Sequence, residues 1–232
     1  RSTSHMRAGS DVPGRISRLP GGVALNIAMT LRRFGMTPAI LTAIGRDPEG
    51  QELLSACRRL GIVTEHVYLS EDLPTDRYMA VEGRNGLIAA IADAHSLEAA
   101  DDKILRPLSD GTFGSAAAPY SGLIALDGNL TQALLTDISK SALFSRADLR
   151  IAPASPGKAE RLVPLLTHPG ATFYVNLEEA GLLAHERFSN AKDAAEVLRA
   201  RGAARVLVTN GGDAAAHADK DGIISAVPPS VL

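Results

Sequence analysis

Short apolar runs typical of β-strands alternate with helical patterns along most of this 232-residue chain, and this alternation limits the possible folds most strongly. The predicted helices span residues 22–34, 48–60, 98–108, 130–144, 156–167, 177–184 and 190–201, and the predicted strands span residues 38–44, 63–69, 122–128, 149–153, 172–176 and 205–209. Strands that are joined through helices run parallel, with the helices packed on the faces of the sheet. We therefore predict an α/β fold with a mostly parallel sheet and helices on both faces.

Two segments break this alternation and predict β-hairpins. Between Thr75 and Asp93, the strand-like runs TDRYMAVEG and LIAAIAD are joined by Arg84, Asn85 and Gly86. Asn-Gly favours a type I′ turn, because both residues readily take positive φ angles. We predict a small antiparallel hairpin that projects from the parallel sheet. AAAHAD and GIISAV predict a second hairpin near the end of the chain.

Charge and residue usage favour a small-molecule partner over nucleic acid or a membrane. The 24 basic and 26 acidic residues give a net charge of −2, so no strong basic field is expected. No apolar run approaches the roughly 18 residues that span a bilayer, and no signal segment opens the chain, so we expect a cytoplasmic protein. Cys57 is the only cysteine and predicts a small buried side chain. The six histidines lack the i, i+4 spacing typical of a zinc site.

Gly21 and Gly22 open the first predicted helix, and Asn26 lies in its first turns. Glycines at a helix start let a ligand approach the backbone N–H groups and the positive end of the helix dipole. The structural alternative is a tight turn followed by a core helix. That helix would bury its apolar residues Val23, Ile27, Leu31 and Phe34.

The order of motifs resembles a known family. GGVALNIAMTLRRFG (Gly21 to Gly35) is followed by an apolar strand, by GRDPEG (Gly45 to Gly50) and by a helix that ends in LGI. This order resembles the start of the PfkB (ribokinase-like) carbohydrate and nucleoside kinases, and the resemblance extends over nearly the whole chain from Ser10 on. It implies a ribokinase-like three-layer sandwich, with a single kinase domain over residues 1–232. It also implies a small antiparallel β lid formed by segments at approximately 7–20 and 66–94.

The resemblance implies an ATP-dependent, Mg²⁺-assisted kinase in which the first helix and the lid bind the substrate. Gly21, Gly22 and Asn26 would hold the hydroxyls of a ribose. SDVPGRI resembles a segment of the nucleoside-type members. The further substrate-binding candidates from the lid are Ser10, Asp11, Thr75, Arg77 and Asp93.

Further candidates follow the strands of the parallel sheet, because ligands bind outside the carboxyl ends of such strands. DGNL contains Asp127 and Asn129, and SPGK ends at Lys158. Both stretches resemble pseudouridine kinases more than ribokinases, which implies that these three residues bind substrate. The structural alternative for SPGK is a helix start, with Ser155 as N-cap and Pro156 at the first helical position.

NLEE and VTNGG are the candidate nucleotide and metal motifs. Asn176 and Glu179 form a predicted capping box, yet NLEE also resembles the family's NxxE motif, whose glutamate holds Mg²⁺ through water. VTNGG resembles the family's VTxGxxG turn, although Ala214 replaces its second glycine. The resemblance implies that Asn176, Thr209 and Gly211 contact the nucleotide. The structural alternative is that the glycines of VTNGG only form the turn of a hairpin.

Two parts of the family pattern are missing from this sequence. The family begins with a strand that ends in a sugar-binding aspartate, and it continues past the last hairpin into GAGD, whose aspartate is the general base. This chain ends at PPSVL, before such a segment, so the catalytic base is unknown and we expect a truncated kinase domain. SHM at Ser4 to Met6 fits either a cloning scar or native sequence.

The sequence therefore predicts a kinase that phosphorylates the 5′-hydroxyl of a ribose-containing nucleoside, with pseudouridine favoured. One alternative is a sugar or purine nucleoside kinase of the same family, and another is a non-catalytic ligand-binding protein with this fold. A dinucleotide-binding oxidoreductase is disfavoured, because no GxGxxG follows a strand and no GxxxxGK[ST] loop is present. The expected partners are the substrate, ATP and a second copy of the chain bound through the lid.

Overall fold

In the computed structural model of the protein, residues 1–7 and 9–229 are described, and the chain forms two compact units, Arg1–Ala100 and Asp101–Leu232. Ala8, in the predicted lid segment 7–20, and the last three residues of PPSVL lie outside the described residues. The single kinase domain over residues 1–232 stays a prediction.

The described residues of the first unit form three helices and four strands. They are α1 (Val23–Arg33), α2 (Pro48–Arg59), α3 (His95–Ala100), β1 (Ala43–Gly45), β2 (Tyr68–Ser70), β3 (Arg77–Gly83) and β4 (Gly86–Asp93). β1 pairs with β2 in parallel, and a parallel bridge joins Ala39 to Val63. The strands predicted at 38–44 and 63–69 are thus present as short parallel contacts.

The core of the first unit lies on a different face of α1 from the one that the structural alternative in the sequence analysis gave. Leu25 and Ala28 are the buried residues of α1, and they belong to a cluster with Ile40, Cys57 and Ile62. The buried face of that alternative, Val23, Ile27, Leu31 and Phe34, is not the core face, since Phe34 is 80% exposed and the other three are only half-buried. The prediction that Cys57 is a buried side chain is confirmed, and burial raises the pKa of its thiol.

The predicted hairpin is confirmed, but its turn is not of type I′. β3 and β4 pair antiparallel from Arg77 opposite Asp93 to Gly83 opposite Gly86. Among the described residues of the turn only Gly86 has a positive φ, of 88°, whereas type I′ requires positive φ at both central residues. The Asn85 side chain instead bonds to Met6, accepting from its N–H at 3.1 Å and donating to its carbonyl oxygen at 3.3 Å.

The first residues of the chain lie beside this hairpin. Ser2 N–H donates to Glu82 O at 2.9 Å, and Arg84 N–H donates to Ser4 O at 3.0 Å. The segment that contains SHM is therefore bonded to the outer edge of β3.

The second unit is built on a six-stranded sheet. Its strands are β5 (Leu123–Asp127), β6 (Asp148–Ala152), β7 (Ala171–Asn176), β8 (Arg205–Asn210), β9 (Asp213–Asp219) and β10 (Gly222–Ala226), and its α-helices are α4 (Gln132–Lys140), α5 (Leu177–Ala184) and α6 (Ala191–Ala200). The spatial order is β10-β9-β8-β7-β6-β5. β5 to β8 run parallel and β9 and β10 antiparallel, which confirms the mostly parallel sheet and the second hairpin.

Two predicted helices are largely 3-10 helices, Asp101–Leu108 and Pro156–Leu165. Each contains an internal proline, Pro107 and Pro164 respectively. Proline lacks the N–H that an α-helix needs and clashes with the preceding turn, so short 3-10 geometry replaces the α ladder there.

One face of the six-stranded sheet forms the core of the second unit. Leu149, Ile151, Phe173, Val206 and Ala218 are fully buried, at alternate positions of their strands. Within the described part of the chain, no helix has the length and apolarity that a bilayer crossing requires.

Candidate active site

The start of α1 is open enough for a ligand to approach the backbone. Gly22 has φ 111° and ψ 151°, a conformation that side-chain-bearing residues rarely adopt, and its carbonyl accepts the Asn26 N–H at 2.9 Å. A Cβ atom built on Gly21 or Gly22 would meet nothing within 4 Å. Packing therefore does not exclude a side chain at Gly21, and the backbone of both residues faces open space.

Asn26 lies on the exposed face of α1, and its side-chain amide makes no hydrogen bond to the described residues, whereas its backbone N–H donates to Gly22 O. It lines a shallow depression of about 350 Å³ together with four other residues of α1: Val23, Ile27, Thr30 and Leu31. A polar amide beside uncovered apolar side chains suits a sugar, which has hydroxyls at its edge and an apolar ring face.

Ser10 and Asp11 lie in an exposed loop. The Ser10 hydroxyl donates to the carbonyl oxygen of Arg7 at 3.2 Å, which is a local turn contact. Substrate binding by these two residues stays a prediction.

The three candidates from the hairpin differ in how far other protein groups already bind them. Thr75 is buried and donates its hydroxyl hydrogen to Asp47. Arg77 is exposed, lies opposite Asp93 in the strand pairing and forms an ion pair with Glu49 at 3.2 Å. The Asp93 carboxylate bonds to His95 at 2.6 Å, which lowers the pKa of Asp93 and raises that of His95.

At the carboxyl end of β5, the structure brings Asp127, Asn129 and Lys158 together. Asp127 Oδ1 accepts the Asn129 N–H at 2.8 Å, and Lys158 Nζ donates to Asn129 Oδ1 at 2.6 Å. A Cβ on Gly128 would lie 3.0 Å from the carbonyl oxygen of Lys158, so glycine permits this close approach. The structural alternative for SPGK is only partly met. Pro156 is the first residue of the 3-10 helix, but the Ser155 side chain makes no cap bond.

Asn176 and Glu179 form the predicted capping box at the start of α5. Glu179 Oε2 accepts the Asn176 N–H at 2.9 Å, and Asn176 Oδ1 accepts the Glu179 N–H at 2.9 Å. Glu179 is only 9% exposed, and this burial raises the pKa of its carboxyl group. The capping box uses one carboxylate oxygen and leaves Oε1 outside its two bonds.

The carboxylate of Glu179 fits a magnesium ion that is bound mainly by water and phosphate. No cluster of three or more His, Cys, Asp or Glu side chains that could hold a metal occurs within residues 1–7 and 9–229. Mg²⁺ keeps several waters and takes one or two carboxylates plus substrate phosphates, so a single glutamate is a sufficient protein contribution.

Thr209 lies next to Asn176 at the same edge of the sheet. The two residues are direct partners in the pairing of β7 with β8, and Thr209 is exposed. Gly211 follows with a positive φ of 57°, and a Cβ there would meet nothing within 4 Å. The candidate nucleotide residues thus form one exposed strip, although contact with a nucleotide stays a prediction.

Asp47 is a residue whose role the sequence analysis missed. It is the N-cap of α2, and it also binds Thr75, 28 positions later. The capping part was detectable, since Asp before a proline at the first helical position is a typical helix start. The contact with Thr75 is long-range and has no local signal.

Comparison with known proteins agrees with the fold. A model of the pfkB family carbohydrate kinases matches residues 2–231. The pseudouridine kinase of Escherichia coli (strain K12) is 27% identical over 214 residues, covering 90% of this chain and 66% of that protein. The pseudouridine kinase of Arabidopsis thaliana is 27% identical over 161 residues, covering 68% and 40% respectively. The uncharacterized sugar kinase YeiI of Escherichia coli is 32% identical over 120 residues, covering 51% and 32%.

Solved structures share the whole fold of this chain. A carbohydrate kinase from Agrobacterium tumefaciens superposes with a TM-score of 0.80 at 24% identity, covering 98% of this chain and 71% of its own. The ribokinase from Thermotoga maritima gives 0.77 at 18% identity, covering 99% and 74%. The fold is therefore a ribokinase-like α/β fold.

The family assignment rests on nearly the full length of this sequence, because the family model matches all but its first and last residues. The chain nevertheless spans less than two thirds of the length of the three curated relatives. The chain belongs to the pfkB family of carbohydrate kinases.

Proposed function

We propose that this chain is part of an ATP-dependent kinase that phosphorylates the 5′-hydroxyl of a ribose-containing nucleoside, with pseudouridine as the favoured substrate. The observation that carries the proposal is the bond of Lys158 to Asn129 at the carboxyl end of β5. This pair occurs in the two stretches that resemble pseudouridine kinases. The similarity to pseudouridine kinases of a bacterium and a plant supports it.

Lys158 would bind the substrate through its ammonium group. That group has three N–H donors, of which one bonds to Asn129. Two donors remain for acceptors on a substrate, such as the carbonyl oxygens of a pyrimidine base. Gly21, Gly22 and Asn26 would hold the ribose hydroxyls, and Asp127 fixes the turn that carries Asn129.

Asn176, Glu179, Thr209 and Gly211 would organise the nucleotide. A bound Mg²⁺ ion would neutralise phosphate charge, and Glu179 would hold it through water with the carboxylate oxygen that the capping box does not use. The exposed Thr209 hydroxyl, which donates to Val175 O at 3.5 Å, would turn towards the nucleotide, and the open space at Gly211 would let the nucleotide approach the backbone. Phosphoryl transfer depends mainly on such positioning and charge stabilisation.

The deciding experiment is a substrate comparison with the full-length protein. Phosphate transfer from ATP is measured with pseudouridine, uridine, adenosine and ribose at equal concentrations. We expect kcat/KM for pseudouridine to exceed the others by at least about tenfold, the step that 1.4 kcal/mol of differential binding gives. A preference for ribose or adenosine would favour the sugar or purine nucleoside alternative. Binding without phosphate transfer would favour a non-catalytic protein.

Lys158→Ala tests the role of the ammonium group. We expect it to lower kcat/KM for pseudouridine at least about tenfold, because it removes a charged hydrogen-bond donor. Lys140→Ala is the matched control, since Lys140 is exposed at the end of α4 and should leave kcat/KM unchanged. Equal activity of both variants would contradict substrate binding by Lys158.

A cytoplasmic location is proposed from the sequence alone, and cell fractionation tests it.

A further inference from the structure

The base of the hairpin β3–β4 is bound by a carboxylate from another element. Thr75 lies two residues before β3 and is 6% exposed. Its hydroxyl donates to Asp47 Oδ1 at 2.6 Å, and its backbone N–H donates to Asp47 Oδ2 at 2.7 Å. The same carboxylate caps α2, because Oδ1 also accepts the Gly50 N–H at 2.7 Å. Asp47 therefore joins the start of α2 to the start of the hairpin.

The backbone around Asp47 is fitted closely to Thr75. The Gly45 N–H donates to the Thr75 hydroxyl oxygen at 3.1 Å. A Cβ on Gly45 would overlap the backbone nitrogen of Thr75, and one on Gly50 would lie 2.7 Å from the Thr75 hydroxyl oxygen. Both glycines of GRDPEG are thus needed for this contact, which gives the motif a structural task in this chain.

The residues that follow the hairpin are hydrogen-bonded to the residues that precede it. Asp76 follows Thr75, and its two carboxylate oxygens accept the N–H groups of Ser96 at 2.8 Å and Leu97 at 3.0 Å. The Ser96 hydroxyl donates to Pro74 O at 2.5 Å. The segments that enter and leave the hairpin are therefore joined to each other next to the Asp47 contact.

The strands of the hairpin are far more exposed than its base. Tyr78 is 66% exposed and Ile91 is 61% exposed. The ion pair of Arg77 with Glu49 lies at the surface and contributes little, because exposed pairs are solvated and screened. A two-stranded hairpin is only marginally stable by itself, so its order depends on contacts with other segments: the N-terminal residues near its turn and Asp47 at its base.

We propose that Asp47 and Thr75 are positioning residues, whose paired hydrogen bonds hold the hairpin and thereby place Arg77 and Asp93. Both bonds have an ionised acceptor and lie in a partly buried position, which makes them stronger than neutral surface bonds. The consequence for catalysis rests on the proposed function, whereas the anchoring of the hairpin does not.

Hydrogen–deuterium exchange of the full-length protein tests the anchoring. In Thr75→Val, we expect the amides of residues 77–93 to exchange at least about tenfold faster, because the released hairpin opens more often. Amides of the six-stranded sheet should keep their rates. Thr75→Ser retains the hydroxyl and should restore slow exchange. Unchanged exchange of residues 77–93 in Thr75→Val would overturn the proposal.

Asp47→Asn separates the hairpin contact from helix capping. Asn caps helices about as well as Asp. Its NH₂ group, however, would replace Oδ2 and cannot accept the Thr75 N–H. We expect the backbone amides of residues 77–93 to exchange faster in Asp47→Asn, and those of α2 to keep their rates. Thr131→Ala, which removes the cap of α4, is the control and should leave the hairpin unchanged. Faster exchange in α2 alone would overturn the proposal. This variant also decides the question if Thr75→Val unfolds.

Kinase assays then connect the anchor to catalysis. We expect Thr75→Val to raise KM for the nucleoside at least about tenfold with KM for ATP unchanged, and Thr75→Ser to reverse the effect. If residues 77–93 exchange faster while the parent protein transfers no phosphate, the anchor is supported and the proposed function fails. If the parent is active and exchange in the variant is unchanged, the anchor fails and the proposed function stands.

Discussion

The candidate site residues differ in whether their polar groups already bond within the protein. The Thr75 hydroxyl and the Asn176 amide oxygen are used by Asp47 and by the backbone of Glu179. The side-chain amide of Asn26 makes no hydrogen bond to the described residues. Substitution of the bonded groups should therefore change stability, whereas substitution of Asn26 should change ligand binding.

Asn26→Ala should weaken substrate binding without a measurable loss of stability. Loss of one or two hydrogen bonds to ribose hydroxyls costs about 1–3 kcal/mol, because the substrate groups are left unpaired. Isothermal titration calorimetry measures the affinity, and the melting temperature reports stability. Gln51→Ala is the control, as Gln51 is another exposed helical amide. Equal substrate affinity in the two variants would contradict substrate binding by the Asn26 side chain.

Glu179→Gln distinguishes the cap from the metal site. Gln retains a hydrogen-bond acceptor, so the cap should lose about 1 kcal/mol or less and the melting temperature should stay within a few degrees. Removal of the negative charge should lower kcat at least about tenfold, with partial recovery at high Mg²⁺ concentration. Steady-state assays over a Mg²⁺ series measure this. Normal turnover at limiting Mg²⁺ would show that Glu179 acts only as a cap.

His168 should make stability depend on pH. Burial lowers the pKa of its imidazole below 6.5, and its Nδ1 accepts the Gly170 N–H at 3.1 Å. The folded state therefore binds fewer protons than the unfolded state below pH 6.5, so the free energy of unfolding should fall as the pH drops through this range. Urea denaturation between pH 5 and 8 measures it. His168→Asn keeps an acceptor without titrating, and the same pH slope in that variant would contradict the role.

Among the secondary-structure elements, those with a local signal could be predicted and those fixed by long-range contacts could not. α5 was predicted with its exact bounds, because Asn176 and Glu179 mark its start in the sequence. The predicted type I′ turn was wrong because the strands pair up to Gly83 and Gly86, so the central residues are Arg84 and Asn85, neither of which has a positive φ. The Asn85 side chain also bonds to Met6, 79 positions away. The structural alternative for α1 placed Phe34 in the core by helical periodicity alone, and no local feature shows that α1 packs through Leu25 and Ala28.

Gly45→Ala should destabilise the first unit, because its Cβ would overlap backbone atoms rather than a flexible side chain. Overpacking of this kind costs about 1–3 kcal/mol. Gly212→Ala is the matched control, since a Cβ there would meet nothing within 4 Å and should change stability by less than about 0.5 kcal/mol. Urea denaturation compares the two variants. Equal free energies of unfolding would contradict the close fit around Thr75.

For the molecule as a whole, the sequence predicted the fold and the family but could not assemble the site completely. Asp127, Asn129 and Lys158 were each identified from motifs. The bond between Asn129 and Lys158, however, spans 29 positions and depends on the close approach of the turn after β5 to Lys158. The contact between Thr75 and Asp47 spans 28 positions and had no signal. Motifs indicate which residues matter, whereas tertiary packing determines which of them meet.

At the largest scale, we predict that the full-length protein forms a homodimer through the hairpin. Its two strands expose apolar side chains on both faces, and Met79 and Ile91, which are direct partners in the strand pairing, are 55% and 61% exposed. Exposed apolar patches of this kind mark interaction sites.

Ile91→Asp should disrupt this dimer, because association would bury an unpaired charge. We expect the dissociation constant of the dimer to rise at least about tenfold, which corresponds to about 1.4 kcal/mol. Sedimentation velocity over a concentration series measures it. Phe34→Asp is the control, since Phe34 is 80% exposed at the end of α1 and lies outside the hairpin. A monomeric parent protein, or an equal loss of association in both variants, would contradict a hairpin-mediated dimer.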